Sequence, residues 1–296
     1  MNDLVKFGLP ADINLISVIG IGSFGTGAVN YMKDNELTGI DYFVLNSNQS
    51  STEIEQTLDK MKNRLFYHRL VFIIGGANEV SESELFQMIG ALVKDFDNIS
   101  FGILTIPLLF GKDENRNQTF KNIGMLKKSV SQVLLISVEH LLCSPGEASL
   151  AEPVQKTLHQ IMLTVKTFTD VWSCRSSISI DLNDILSLSF KGGYGIVMSA
   201  IASGEKRCLV AFELAHSVFT NMEIVNKAQK FLLYIAYGTK EVTIIELVDL
   251  MEYFGCKIND SADMIWSSGF DSELGEGEDV RVTIIATGLE LDTFEF

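Results

Sequence analysis

The chain has little of what usually staples or divides a small protein. Only 4 of its 296 residues are proline, so no proline-rich linker is visible. Its 4 cysteines, Cys143, Cys174, Cys208 and Cys256, lie far apart and form no CxxC pair. They read as reduced, mostly buried thiols of a cytoplasmic protein. Its 4 histidines, His68, His140, His159 and His216, share no metal-ligand spacing, and no metal site is assigned. Positive charge is in deficit: 23 Lys and Arg stand against 38 Asp and Glu, a formal net charge of -15. That balance argues against a nucleic-acid partner, whose phosphates demand a basic surface, and against adsorption to an anionic membrane. No apolar run is long enough to insert directly into a bilayer, and residues 1–12 hold no signal-peptide core.

What is present is apolar residue in quantity, 47% of the chain, at a length comfortable for two α/β domains. Leu15 to Gly20 reads as a buried strand, followed by a glycine-rich turn and a helix from about Gly27 to Asn35. Strands are expected at Tyr42 to Asn46, Leu70 to Ile74, Ser100 to Thr105 and Gln132 to Ser137. Helices are expected at Ser51 to Tyr67, Glu82 to Phe96 and Asn117 to Ser129. This alternation implies a mostly parallel, doubly wound, Rossmann-type sheet over residues 12–147. A long central helix is expected within 148–174, followed by a smaller α/β domain over 175–290 and a short tail, 291–296. In that second domain the acidic stretch Asp271 to Asp279 reads as a solvated hairpin loop, without the spacing of an EF-hand.

One local motif carries chemistry. Gly20-Ile21-Gly22-Ser23-Phe24-Gly25 is a GxGxxG between a strand and a helix. Its glycines let backbone N–H groups approach a pyrophosphate, whose charge the helix N-terminus favours. A dinucleotide site also wants an acid at the end of the second strand, where this chain has Asn46. Tight strand–helix packing explains the glycines equally well, and both readings stand at this point.

The loop continues as Thr26-Gly27-Ala28-Val29-Asn30, and the whole then resembles the first phosphate loop of FtsZ. Val44-Leu45-Asn46-Ser47-Asn48 is similar to the VNTD stretch of that family, and Thr105-Ile106-Pro107 to its TRPF. Gly192-Gly193-Tyr194 through Ser203-Gly204-Glu205-Lys206-Arg207 resembles the segment ending in ASGE-x-R. Val280 to Gly288 reads VRVTIIATG, close to RVTVIATG. The matches run in family order from about residue 15 to residue 289. The chain is thereby identified as a divergent member of the FtsZ/tubulin superfamily. The resemblance implies that residual nucleotide contacts would come from Gly20, Gly22, Ser23, Gly25, Thr26, Gly27, Asn46 and Gly76. It also implies GTP or GDP as ligand, with Mg²⁺ only if GTP is bound.

Against that pattern stand several losses. The GGGTGTG hallmark should follow the strand at Leu70 to Ile74, but after Gly75-Gly76-Ala77 the chain reads Asn78-Glu79-Val80-Ser81-Glu82-Ser83-Glu84. Three carboxylates stand where a triphosphate would sit. Like charges at roughly 4 Å repel by about 1 to 4 kcal/mol each in a wet site. As plain structure, the segment is an acidic helix start capped by Ser81 or Ser83. Between Asn46 and Leu70 a short polar helix replaces a further glycine-rich loop. The ribose-contacting FEG-x-x-R aligns with Phe110-Gly111-Lys112-Asp113-Glu114-Asn115. The base-reading Asp aligns with His159, and the stacking aromatic with Val154.

One feature of the family pattern is kept. The NxDFxD loop that FtsZ inserts into the next subunit's site matches Ser179-Ile180-Asp181-Leu182-Asn183-Asp184. Asp181 and Asp184 then either orient water in a neighbour's site or cap and charge a helix N-terminus. Two functions follow as expectations. The first is a cytoskeletal scaffold with weak or no GTP binding, associating head to tail with itself or an FtsZ-like partner. The alternative is an active GTPase with a remodelled site. The chain stops without the long linker and partner-binding peptide usual in FtsZ, which bears on docking to membrane tethers.

Overall fold

The computed structural model describes residues 14–77, 82–96, 98–106, 113–137, 151–172, 180–189, 193–217 and 227–290. The chain forms two compact units, one of residues 1–103 and 112–130, the other of residues 104–111 and 131–296. Among the described residues no helix is long and apolar enough to cross a membrane.

In the first unit, strands β1 (Ile16–Ile21), β2 (Ile40–Leu45), β3 (Leu70–Gly76) and the first five residues of β4 (Ile99–Ile106) lie in the order β2-β1-β3-β4. β1 runs parallel to β2, from Ile16↔Ile40 to Ile21↔Leu45, and parallel to β3, from Ile16↔Leu70 to Gly20↔Ile74. Every residue of β1 and β3 is buried, as expected of inner parallel strands covered on both faces. The edge strand β2 is buried only at its two ends. Helices α1 (Gly22–Asp34), α2 (Ser51–Leu65), α3 (Ser83–Lys94) and α4 (Asp113–Lys127) make the connections. The chain steps from β1 outward to β2 and then back across β1 to β3. Right-handed crossovers therefore put α1 on one face and α2 and α3 on the other. α2 starts at a capping box, with Ser50 accepting from the Glu53 N–H and Glu53 accepting from the Ser50 N–H.

One expectation needs correction. α1 begins at Gly22, not near Gly27, so the glycine stretch is the first helical turn itself. Low helix propensity argued for a loop; close packing against β1 and β3 overrides it.

The second unit holds β5 (Gln132–Ser137), β6 (Tyr194–Ala202), β7 (Lys230–Tyr237), β8 (Asp263–Phe270) and β9 (Val280–Leu289), ordered β5-β6-β9-β7-β8. Its helices are α5 (Ala151–Trp172), α6 (Leu182–Ser189), α7 (Arg207–Ser217) and α8 (Ile244–Gly255). The last strand, β9, is inserted between β6 and β7 and runs antiparallel to both. That position explains its long apolar run, which is buried at nearly every residue.

It also corrects the hairpin reading of Asp271 to Asp279. β7 pairs with β8 on one side and β9 on the other, so the connection passes over β7. The stretch is not wholly solvated: Asp271 and Leu274 are buried, with a short 3₁₀ turn at Ser272–Leu274. Of the thiols, Cys208 is buried and Cys256 is exposed, so burial does not hold for Cys256. Burial pushes the Cys208 thiol up to about 12. Cys143 and Cys174 lie outside the described residues.

Candidate functional site

The first unit gathers every predicted nucleotide contact at the C-terminal ends of three adjacent parallel strands. This is the edge where doubly wound sheets bind ligands. β1 passes directly into α1 through Gly22, whose φ of 74° lies in the left-handed region that glycine adopts without strain. Gly20 and Gly25 are needed for contact. A Cβ on Gly20 would sit 2.3 Å from the Gly25 carbonyl oxygen, and one on Gly25 would sit 2.3 Å from the Ile74 carbonyl oxygen. Gly27, by contrast, has nothing within 4 Å of its missing Cβ.

The N-cap, Ile21, supplies no side-chain hydrogen bond, and the first turn of α1 holds no acid. Ser23 is exposed, and Thr26 donates its hydroxyl to the Gly22 carbonyl at 2.7 Å. An uncapped, uncharged helix start is chemically suited to an anion.

Beside it, the loop after β2 is held by its own side chains. Asn46 Oδ1 accepts from the Asn48 N–H at 3.1 Å, and Gln49 Oε1 accepts from the Asn46 N–H at 3.0 Å. Asn46 thus shapes the turn. On the other side of β1, β3 ends at Gly75 and Gly76, both buried. A Cβ on Gly75 would lie 2.3 Å from Phe86 Cζ, so the ring of that buried α3 residue covers the strand end.

The N-cap of α3 is Glu82, not Ser81 or Ser83, and it makes no side-chain cap bond. Its side chain instead turns to the β2–α2 loop. Both carboxylate oxygens accept from the Ser47 N–H at 3.1 Å, and Oε1 also accepts from the Ser47 hydroxyl at 2.8 Å. Glu82 is only 5% exposed. Because β2 and β3 flank β1, this contact bridges the end of β1, a span of two strand spacings or about 9.6 Å. Sequence reasoning missed it, for the partners are 35 residues apart. Glu79 and Ser81, and Phe110 to Lys112 of the ribose segment, lie outside the described residues.

In the second unit, Asp181 and Asp184 cap each other. Asp181 Oδ1 accepts from the Asp184 N–H at 2.9 Å, and Asp184 Oδ2 accepts from the Asp181 N–H at 3.0 Å. The exchange fixes the start of α6 and leaves one oxygen of each carboxylate outside it. Val154 and His159 both face solvent on α5.

Two buried arginines brace the same unit. The Arg207 guanidinium donates to Glu246 Oε1 at 2.8 Å and to the carbonyls of Lys240, Glu241 and Glu278 at 3.1, 2.7 and 2.9 Å. It thereby ties the β7–α8 loop, the first turn of α8 and the β8–β9 connection to the start of α7. Burial raises the Glu246 carboxyl, but hydrogen bonds from Arg207 and Thr243 and the Arg207 charge outweigh it, bringing it down to about 2. Arg281 pairs with the buried Asp271 at 2.7 Å, and Lys166 of α5 approaches the same carboxylate at 3.1 Å. Burial acts to raise Asp271 as well, and these two cations hold it below the usual carboxylate range.

No protein-family model matches the chain. The cell division protein FtsZ of Porphyromonas gingivalis is 22% identical over 319 residues, covering 97% of this chain and 69% of that protein. The mitochondrial division protein fszA of Dictyostelium discoideum is 23% identical over 307 residues, covering 93% of this chain and 58% of its own length. Among solved structures, the empty FtsZ dimer of M. jannaschii superposes with a TM-score of 0.80 at 16% identity, covering 97% of this chain and 91% of that one. The GTPγS-bound CetZ2 protofilament of Haloferax volcanii gives 0.72 at 12% identity, covering 93% of each chain. The fold is therefore that of FtsZ and tubulin. The sequence matches to FtsZ proteins run through both units, which supports a divergent member of the FtsZ/tubulin superfamily.

Proposed function

We propose that this protein is a cytoplasmic cytoskeletal or scaffolding element that assembles head to tail, with itself or an FtsZ-like partner, and binds GTP weakly or not at all. Its place would be division or membrane remodelling, as the names of its relatives suggest. The observation that carries the reading is the buried Glu82 carboxylate on Ser47. An anion of the protein's own lies beside the strand end where a phosphate would bind, next to a segment without the GGGTGTG glycines. Head-to-tail contacts are heterologous and build filaments when the rotation does not close. In a copolymer, Asp181 and Asp184 would face the neighbour's nucleotide through their uncapped oxygens, with Mg²⁺ entering only alongside GTP.

Isothermal titration with GTP and Mg²⁺ tests the first half of the proposal. Silence up to millimolar GTP is expected, and micromolar binding would overturn it. Co-sedimentation with an authentic FtsZ, together with a changed GTPase rate of that partner, is expected for the second half. Neither pelleting nor a rate change would reject it. A GTPase with a remodelled site is the second reading, favoured by the uncapped and uncharged start of α1. It requires GTP turnover that Asp181→Ala abolishes.

A further inference from the structure

We infer that the Ser47 N–H and hydroxyl form an anion site that is liganded in cis by Glu82, so that this carboxylate is a built-in competitor of any phosphate ligand. The inference deepens the proposed function and rests on it, since it names what keeps nucleotide out. Glu82 is the buried acid among the described residues of the first unit. No lysine or arginine pairs with it there. Its partners are one backbone N–H and one hydroxyl. Neutral N–H and O–H donors converging on a desolvated anion are the chemistry of a phosphate cradle, not of a salt bridge.

The donors and the acceptor belong to loops on opposite sides of β1, whose own end opens into the uncapped α1. The clasp therefore closes over the strand end that a phosphate would approach. It also orders the β2–α2 loop without any ligand, the work a bound nucleotide would otherwise do. Phe86 on Gly75 seals the same end of β3. A triphosphate must displace Glu82 to reach Ser47, and removing the carboxylate should open the site.

The test compares the wild type, Glu82→Ala, Glu82→Gln and the Glu82→Ala/Ser47→Ala double variant for GTPγS binding with Mg²⁺, with circular dichroism to verify folding. Glu82→Ala should bind at least tenfold tighter than the wild type, Glu82→Gln should fall between, and the double variant should lose the gain. Folded Glu82→Ala and Glu82→Gln proteins that bind no tighter than the wild type, or not at all up to millimolar ligand, overturn the clasp. Hydrogen exchange at the Ser47 amide reads the clasp without ligand. Protection in the wild type that falls at least tenfold in Glu82→Gln supports it, and an unprotected wild-type amide overturns it. Micromolar binding by the wild type would instead defeat the weak-binding reading, leaving the clasp to be judged on the ratio of variant to wild type.

Discussion

Two glycines two residues apart in α1 should respond to alanine with opposite signs. At Gly25 the added Cβ lands 2.3 Å from the Ile74 carbonyl oxygen and 2.9 Å from the Gly20 carbonyl carbon, both backbone atoms of inner strands. Ordinary contact needs about 1 Å more, so α1 must lift from the sheet. Overpacking of this kind costs about 1–3 kcal/mol, and the better helix propensity of alanine returns about 1 kcal/mol. At Gly27 nothing lies within 4 Å, so only the propensity gain remains, about 0.5–1 kcal/mol. The propensity gain is shared, so the pair should differ by the overpacking cost, about 1–3 kcal/mol, read as a lower urea midpoint for Gly25→Ala and a higher one for Gly27→Ala at unchanged slope. Equal shifts, or a stabilised Gly25→Ala, would refute the packing explanation of the GxGxxG.

Other outcomes follow from the second unit and from burial. Arg207→Met should lower unfolding free energy by about 3–5 kcal/mol in urea titration, because Glu246 and three loop carbonyls lose a buried donor together. A loss under about 1 kcal/mol would show that the loops hold without it. Asp181→Ala should cost about 1 kcal/mol by removing half of the reciprocal cap of α6, and an unchanged urea midpoint would argue against that cap.

Stability should also fall with acid in two stages. His68 and His216 have pKa values lowered by burial, a shift the Asp41 carboxylate only partly opposes at His68. Their contribution is present above their unfolded value of about 6.5 and lost as pH falls below it. Glu246, lowered to about 2, contributes above about 4.5 and loses its share as pH falls from there toward 2. Thermal melts from pH 8 to pH 3 check both stages, and a flat profile between pH 7 and pH 5 would reject the histidine stage.

Much of the fold was legible because its signals are local. The apolar runs at Leu70 to Ile74 and Gln132 to Ser137 each name a buried strand. Ser50 with Glu53, and Thr243 with Glu246, mark helix starts through bonds that span three residues. The aligned motifs placed Gly20 to Gly27, Asn46 and Gly76 on one sheet edge. The start of α1 was misplaced because propensity counts glycine against a helix, whereas Gly25 is helical for the sake of the Ile74 carbonyl on another strand. The hairpin between β8 and β9 was misread because sequence adjacency suggested pairing, while burial favours β9 at the centre of its sheet.

By itself, the sequence determined the fold class, the order of the elements, the absence of the GGGTGTG glycines and the acidic surface charge. All of these are properties of neighbours along the chain or of simple counts. Only the tertiary structure decided what the polar residues do. Ser47 and Glu82 meet across 35 residues, Arg207 and the Glu278 carbonyl across 71, and Asp271 is drawn inside to neutralise Arg281 and Lys166. A buried charge must find its partner wherever the fold brings one within about 3 Å, and that proximity exists only after the chain has folded.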